Sequence, residues 1–440
     1  MTQGPQRLHA LDAVWREMEG SGPSIAIGTV ALAEGPAPDQ AAVRGLLAER
    51  LPRMPRMAQA LSTPTIGLRR PAWVDVELDL DQHVHRLVVD PSGTQAPIRP
   101  ASLDAAVSAI MEHRLPEGRP LWDAWVVDSL PGRRWALVWR VHHTVADGLG
   151  ALALLGHGFD TAPEGGPSLA DAVLAGQAQP RGWGQASAGG GGWGGVLRSA
   201  ASGVGDAVGA VRSLLPHVAP SAVSALPQLP SSLTGAVGDR RRWVSVDVPL
   251  PEVKAARRAF GVTLNDVVLA CVAGGFRVLL EHRGEAVAGR SVRNLVPVAL
   301  APAADGHAGN RVSALLGHLP AGEADPIARL HAVATAVGHG KHAQQAATLS
   351  MLIGLADRAV PAAVQDFTVS TVGRFAPALF IDTLTTNVPG PPFPVYLLGR
   401  RVAAMYPMIP VAGHTPITTG IFSYDGMLDV GVTGDGELAG

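Results

Sequence analysis

Residues 139–150 read WRVHHTVADGLG, and the fold turns on how the chain enters and leaves them. Upstream, "LWDAWVVDSL" and "RRWALVWRVHH" are apolar runs separated by the turn-like "PGR". This pattern predicts two neighbouring strands, the second ending at His142 and His143. Gly148 permits a tight reversal, and "LGALALLGHGF" then reads as a short buried helix. An imidazole can take a proton from a hydroxyl and later return it to a leaving group. The end of a buried strand is a place from which such a base can be aimed. Asp147 lies four residues past His143, placed to brace the loop through an arginine or to fix an imidazole tautomer. Two other readings of the pair stay open: a metal site, which lacks a third ligand at a recognised spacing, and simple packing. The spacings of His83 with His85 and of His339 with His342 are those of chance in a chain with 15 histidines.

Outward from this stretch, helical and strand patterns alternate. "DQAAVRGLLAERLPRM" predicts a helix burying Val43, Leu46, Leu47 and Leu51. "WVDVELDLDQHVHRLVV" alternates at period two and predicts strand. "SLDAAVSAIMEHRL" predicts a helix capped by Ser102. The order implies an N-terminal α/β domain over residues 1–160. Residues 161–240 are rich in Gly, Ala and Pro and predict a crossover linker. Within it, residues 196–218 place Val196, Leu197, Ala200, Val204, Val208, Val211 and Leu215 on one helical stripe. That stripe suits packing on the protein's own core, or contact with a membrane or lipid droplet. Gly190, Gly192 and Gly195 formally match a dinucleotide loop, but no strand precedes them. Residues 241–440 predict a second α/β domain, with two helices around Gly261 and Thr263 capping the longer one.

Composition narrows the function. The 440 residues are 47% hydrophobic and 16% charged, enough for a sizeable core. A net charge of -2 gives no basic field for nucleic acid. Cys271 is the single cysteine, so no internal disulfide forms, which fits a reducing cytoplasm; its place mid-helix in an apolar stretch reads as core packing. The N-terminus carries charges where a secretory signal needs an apolar run. No G-x-S-x-G elbow occurs, and neither Lys254 nor Lys341 stands in a phosphate loop. What remains is direct transfer: histidine deprotonates an alcohol, which attacks an activated acyl group.

The motif H-H-x-x-x-D-G at His142, His143, Asp147 and Gly148 resembles that of coenzyme-A-dependent acyltransferases and condensation domains. More narrowly, the chain resembles the bacterial wax ester synthase/diacylglycerol acyltransferase family. "LDAVWREMEGSGPSIAIG" is similar to its N-terminal block, and Pro120, Leu121 and Trp122 to its Pro-Leu-Trp motif. Asn265 and Asp266 match its Asn-Asp motif, Gly309, Asn310 and Arg311 its Gly-Asn-Arg block, and Asn387 to Pro391 its Asn-Val-Pro-Gly-Pro signature. The resemblance implies two chloramphenicol-acetyltransferase-like α/β domains with an active-site tunnel at their interface. It implies His143 as general base with His142 beside it, a mainly structural Asp147, and Asn265, Thr386 or Asn387 facing the oxyanion. Pro120, Leu121, Trp122, Gly148, Asp266, Asn310 and Arg311 would be structural. The reaction implied passes a fatty acyl group from acyl-CoA, as co-substrate, to a long-chain alcohol or diacylglycerol, without metal or tightly held cofactor. Acyl transfer to another hydroxyl or an amine, and lipid binding without catalysis, are the alternatives. Two departures stand out: Ser24-Ile25-Ala26 follows Pro23 where the family has Met-His, and Thr386 replaces a serine.

Overall fold

The computed structural model describes residues 8, 15–16, 19–20, 22–62, 71–92, 100–146, 151, 154–174, 231–299, 312–336 and 381–438. Asp147, Gly148, Gly309, Asn310, Arg311 and the stripe at 196–218 lie outside them.

Two six-stranded mixed sheets form the frame. In chain order the first half contributes strand β1 (Ala26–Glu34), helix α1 (Gln40–Arg50), the short strands β2 (Gln59–Leu61) and β3 (Trp73–Asp75), β4 (Val84–Val88), α2 (Leu103–Glu112), β5 (Trp122–Leu130), β6 (Arg134–His142) and the short α3 (Leu169–Leu174). The second half contributes β7 (Arg241–Pro249), α4 (Leu250–Phe260), α5 (Leu264–His282), β8 (Val292–Ala299), β9 (Val312–Leu319), α6 (Pro326–Ala336), β10 (Thr383–Pro389), β11 (Tyr396–Leu397), β12 (Arg400–Met408), β13 (Ile417–Tyr424) and β14 (Met427–Asp435).

Local signals account for most element ends. Asp39 and Ser102 accept backbone N–H groups at the starts of α1 and α2. Gly261, at φ +66°, closes α4 in the left-handed region that a Cβ disfavours. One expected strand divides: between β3 and β4 the chain makes a 3₁₀ turn at Leu80–Gln82, because Asp79 accepts the Asp81 N–H and pulls the backbone out of the extended state. Cys271 is exposed on α5, not packed in the core.

The first sheet runs β11-β12-β1-β6-β5-β4 and the second β7-β14-β13-β10-β8-β9. Division of the chain at residue 241 therefore does not divide the sheets, since β11 and β12 cross back. β12 pairs antiparallel with β1 from Gly28↔Met408 to Ala33↔Val402. A register shift at Leu32/Ala33 inverts the alternation. Val402 then faces one core cluster, while Ala404, Tyr406 and Met408 face another. A strand buried on both faces must be apolar on both, and "VAAMYPM" is.

The two halves are stitched along a second line. Among the described residues the outer edge of β7 has no strand partner. Instead the Trp243 N–H donates to Ser108 Oγ (2.8 Å), the Arg241 N–H to Glu112 Oε1 (3.0 Å) and the Ser245 hydroxyl to Asp104 Oδ1 (2.9 Å). Residues 104, 108 and 112 share one stripe of α2, so a helix face satisfies every second residue of an edge strand. Among the described residues no single helix is long and apolar enough to cross a membrane.

Candidate active site

β6 is flanked by β1 and β5, with Ala26 opposite His142 and Trp122 opposite Val141. The Pro-Leu-Trp segment holds the strand end directly: the His142 N–H donates to the Leu121 carbonyl at 2.9 Å. Trp122 is 2% exposed and its indole N–H reaches the Met57 carbonyl (2.8 Å), while His83 stacks on its ring. Both side chains are thus held by packing and hydrogen bonds. Ser24 and Ala26 lie beside the same strand end, so the altered segment after Pro23 borders the double histidine.

The two histidines have different surroundings. His142 is buried, its Nδ1 2.8 Å from Thr144 Oγ1 and its Nε2 2.9 Å from Glu19 Oε2. Both of its ring nitrogens are therefore engaged. Burial would raise the Glu19 carboxyl, but the hydrogen bond and charge of His142, with the charge of Arg114, hold it below its ordinary value. The sequence reading passed over Glu19; a glutamate in a polar N-terminal segment carries no sign of a partner 123 residues away.

His143 leaves the strand in a turn closed by the Val145 N–H donating to the His142 carbonyl at 2.8 Å. Its ring stacks on Trp15, with centroids 4.0 Å apart and planes at 18°. Nδ1 is buried and has no hydrogen-bond partner among the described residues. Burial pushes its pKa down to about 4, against a smaller upward pull from its own backbone and with a further downward push from His142. Burial thus favours the neutral imidazole, in which one ring nitrogen carries a lone pair.

On the second sheet Asn387, on β10, donates Nδ2–H to Asn265 Oδ1 at 3.3 Å. Asn265 lies in the first turn of α5, where Thr263 and Asp266 form a reciprocal capping box. Asp266 thus closes the helix start from its side chain. Asn387 Oδ1 is buried without a donor among the described residues. Thr386 precedes it on β10, half-buried. Val145 and Ala146, just past His143, and Val388, next to Asn387, pack on the same apolar cluster. Among the described residues no group of three or more His, Cys, Asp or Glu is placed to hold a metal.

Comparison with known proteins follows the same outline. Residues 8–268 match the model of the wax ester synthase/diacylglycerol acyltransferase catalytic domain, and residues 308–439 that of the family's C-terminal domain. The chain is 34% identical over 419 residues to a protein named probable diacylglycerol O-acyltransferase in Mycobacterium tuberculosis, covering 94% of this chain and 87% of that one. Its shape is similar to that of the wax ester synthase/diacylglycerol acyltransferase from Marinobacter aquaeolei, with TM-score 0.65, 21% identity and coverage of 99% and 94%. The first condensation domain of the calcium-dependent antibiotic synthetase is also similar, with TM-score 0.58, 18% identity and coverage of 100% and 93%. These two structural likenesses bear out the expected fold of paired acetyltransferase-like α/β units.

Proposed function

The chain belongs to the wax ester synthase/diacylglycerol acyltransferase family and is an acyltransferase; we propose that it moves a fatty acyl group from acyl-CoA to the hydroxyl of a long-chain alcohol or diacylglycerol, with His143 as general base. The observation that carries this reading is the half-buried His143 at the end of β6, its Nδ1 without a hydrogen-bond partner among the described residues, beside a His142 whose nitrogens are both engaged.

A free ring nitrogen of His143 accepts the acceptor's hydroxyl proton as its oxygen attacks the thioester carbon. The C–O bond forms, and the carbonyl oxygen becomes an oxyanion. Donors already in place are worth about 3–4 kcal/mol each to such an intermediate. The amide pair Asn265 and Asn387, with the Thr386 hydroxyl, is the proposed donor side. As the C–S bond breaks, the imidazolium returns its proton to the leaving thiolate, giving ester and free CoA. No proton is gained or lost overall, and no step in this sequence calls on a metal. Asp147 would brace the loop from outside the chemistry.

Thiol release from acyl-CoA with a panel of acceptors tests the proposal: long-chain alcohols, diacylglycerol and an amine. Free thiol should appear with the lipid hydroxyls, and His143→Ala should cut it by about 10²–10⁴-fold while leaving the circular dichroism unchanged. Near-native ester formation by that variant would overturn the role of His143. Turnover with the amine alone would overturn the acceptor.

A further inference from the structure

Residues 15, 16 and 19 are helical, and a spacing of four puts Trp15 and Glu19 on one side of that turn. Trp15 lies on the ring of His143, while Glu19 takes Nε2 of His142. Two neighbouring histidines leaving a strand are thus each met by one side chain of the N-terminal segment. The carboxylate behind them is itself fixed. Glu19 is 9% exposed, accepts the Ile25 N–H at 3.4 Å and faces Arg114 at 3.6 Å. Arg16, on the same turn, is drawn away to Glu117.

We infer that Trp15 is a positioning residue for acyl transfer: its indole, laid on the face of the His143 imidazole and backed by the Glu19–His142 bond, sets the ring's plane and keeps water from it. The inference rests on His143 being the base. Geometry supports the division of labour. A basic nitrogen's lone pair lies in the ring plane, so an indole stacked on the face leaves the reacting edge open. The neighbouring His142 is itself fixed by Glu19 and Thr144, so the strand end from which His143 projects is held in place. An exposed indole face attracts a cation, which alone would favour imidazolium. Here the drying effect of burial prevails, since the protonated form is disfavoured down to about pH 4. Among the described residues the charged groups facing the pair are Glu19 from the N-terminal segment and Arg114 from the segment after α2.

The test uses Trp15→Ala and Trp15→Phe in the full chain, with two readouts: kcat and KM against pH with acyl-CoA and a long-chain alcohol, and the titration of the His143 ring by NMR. Trp15→Ala should move the acid limb and the ring's titration up from about 4 toward the ordinary value near 6.5. It should lower kcat by about ten- to a hundred-fold with the KM for acyl-CoA little changed, as a misplaced base does. Trp15→Phe keeps a stackable ring and should restore most of both. An unchanged titration in Trp15→Ala, or a loss that Trp15→Phe fails to repair, overturns the inference. If Trp15→Ala does not fold, the same titration in Trp15→Leu decides, since leucine fills space without stacking. An active His143→Ala variant would instead remove the premise, so the two failures are distinguishable.

Discussion

Arg140 sits on β6 two residues before His142 and is 1% exposed. Its Nε and Nη2 donate to the two oxygens of Asp123 on β5, at 2.7 and 2.5 Å, and its Nη1 to the carbonyls of Ile110 and His113, at 2.6 and 2.9 Å. One guanidinium therefore ties two strands to the C-terminal end of α2. Asp123→Ala should remove both charge-assisted bonds and leave the cation buried with only two carbonyls. A pair of charges about 4 Å apart attracts by about 4 kcal/mol at an effective dielectric of 20. Solvent screening does not reduce this much, because the side chains are 1% and 9% exposed. The desolvation already spent on Arg140 is not recovered, so the loss should reach about 3–5 kcal/mol. Urea unfolding followed by tryptophan fluorescence measures it, since the buried Trp122 and Trp139 each adjoin a member of the pair. Asp123→Leu with Arg140→Met should return to within about 2 kcal/mol of the parent, the remainder being the two abandoned carbonyls at about 1 kcal/mol each. A loss under about 1 kcal/mol for Asp123→Ala, or a double variant no better than the single one, refutes the assignment.

The joint between the sheets responds to pH. Burial, opposed by the Met405 N–H and reinforced by the charge of Asp247, raises the Asp429 carboxyl to about 7. A folded-state value above the unfolded one means that the stabilisation is complete at low pH and is lost as pH rises from about 4 to about 7. Asp429→Asn should therefore match the parent near pH 4 and exceed its melting temperature above pH 7; equal melting temperatures at pH 8 contradict this. Ser108→Ala strands the Trp243 N–H at the β7 edge and should cost about 1–3 kcal/mol in chemical denaturation, whereas an exposed serine of α2 would cost almost nothing. At Gly431 a methyl group would press into the Pro407 carbonyl where β12 crosses β14, so Gly431→Ala should destabilise by about 1–3 kcal/mol or more. A neutral effect in a thermal melt would mean that the strands do not cross so closely.

Much of the fold and part of the site are decided by residues a few positions apart, and these were legible. The alternation in β5 and β6, the caps at Ser102 and Thr263, the reversal at Gly261 and the placement of His142 and His143 at a strand end all follow from short-range stereochemistry. The break between β3 and β4 shows where this fails even locally: the period-two pattern ran on through Asp79, but a side chain that can bond its own backbone competes with the ladder.

Periodicity tells which face of an element is buried, not against what. β12 is apolar on both faces in the sequence, but nothing in it names β1, at the other end of the chain, as its partner. Arg140 and Asp123 each look like a charge on a strand, and only packing makes them a pair. Likewise Trp15 and Glu19 read as ordinary residues of a polar N-terminal turn. The sequence by itself determined the elements, their caps and the reactive residue type. Tertiary structure alone decided which histidine keeps a free nitrogen, because a pKa and a hydrogen-bond partner depend on the atoms that surround a ring, and here those come from distant parts of the chain.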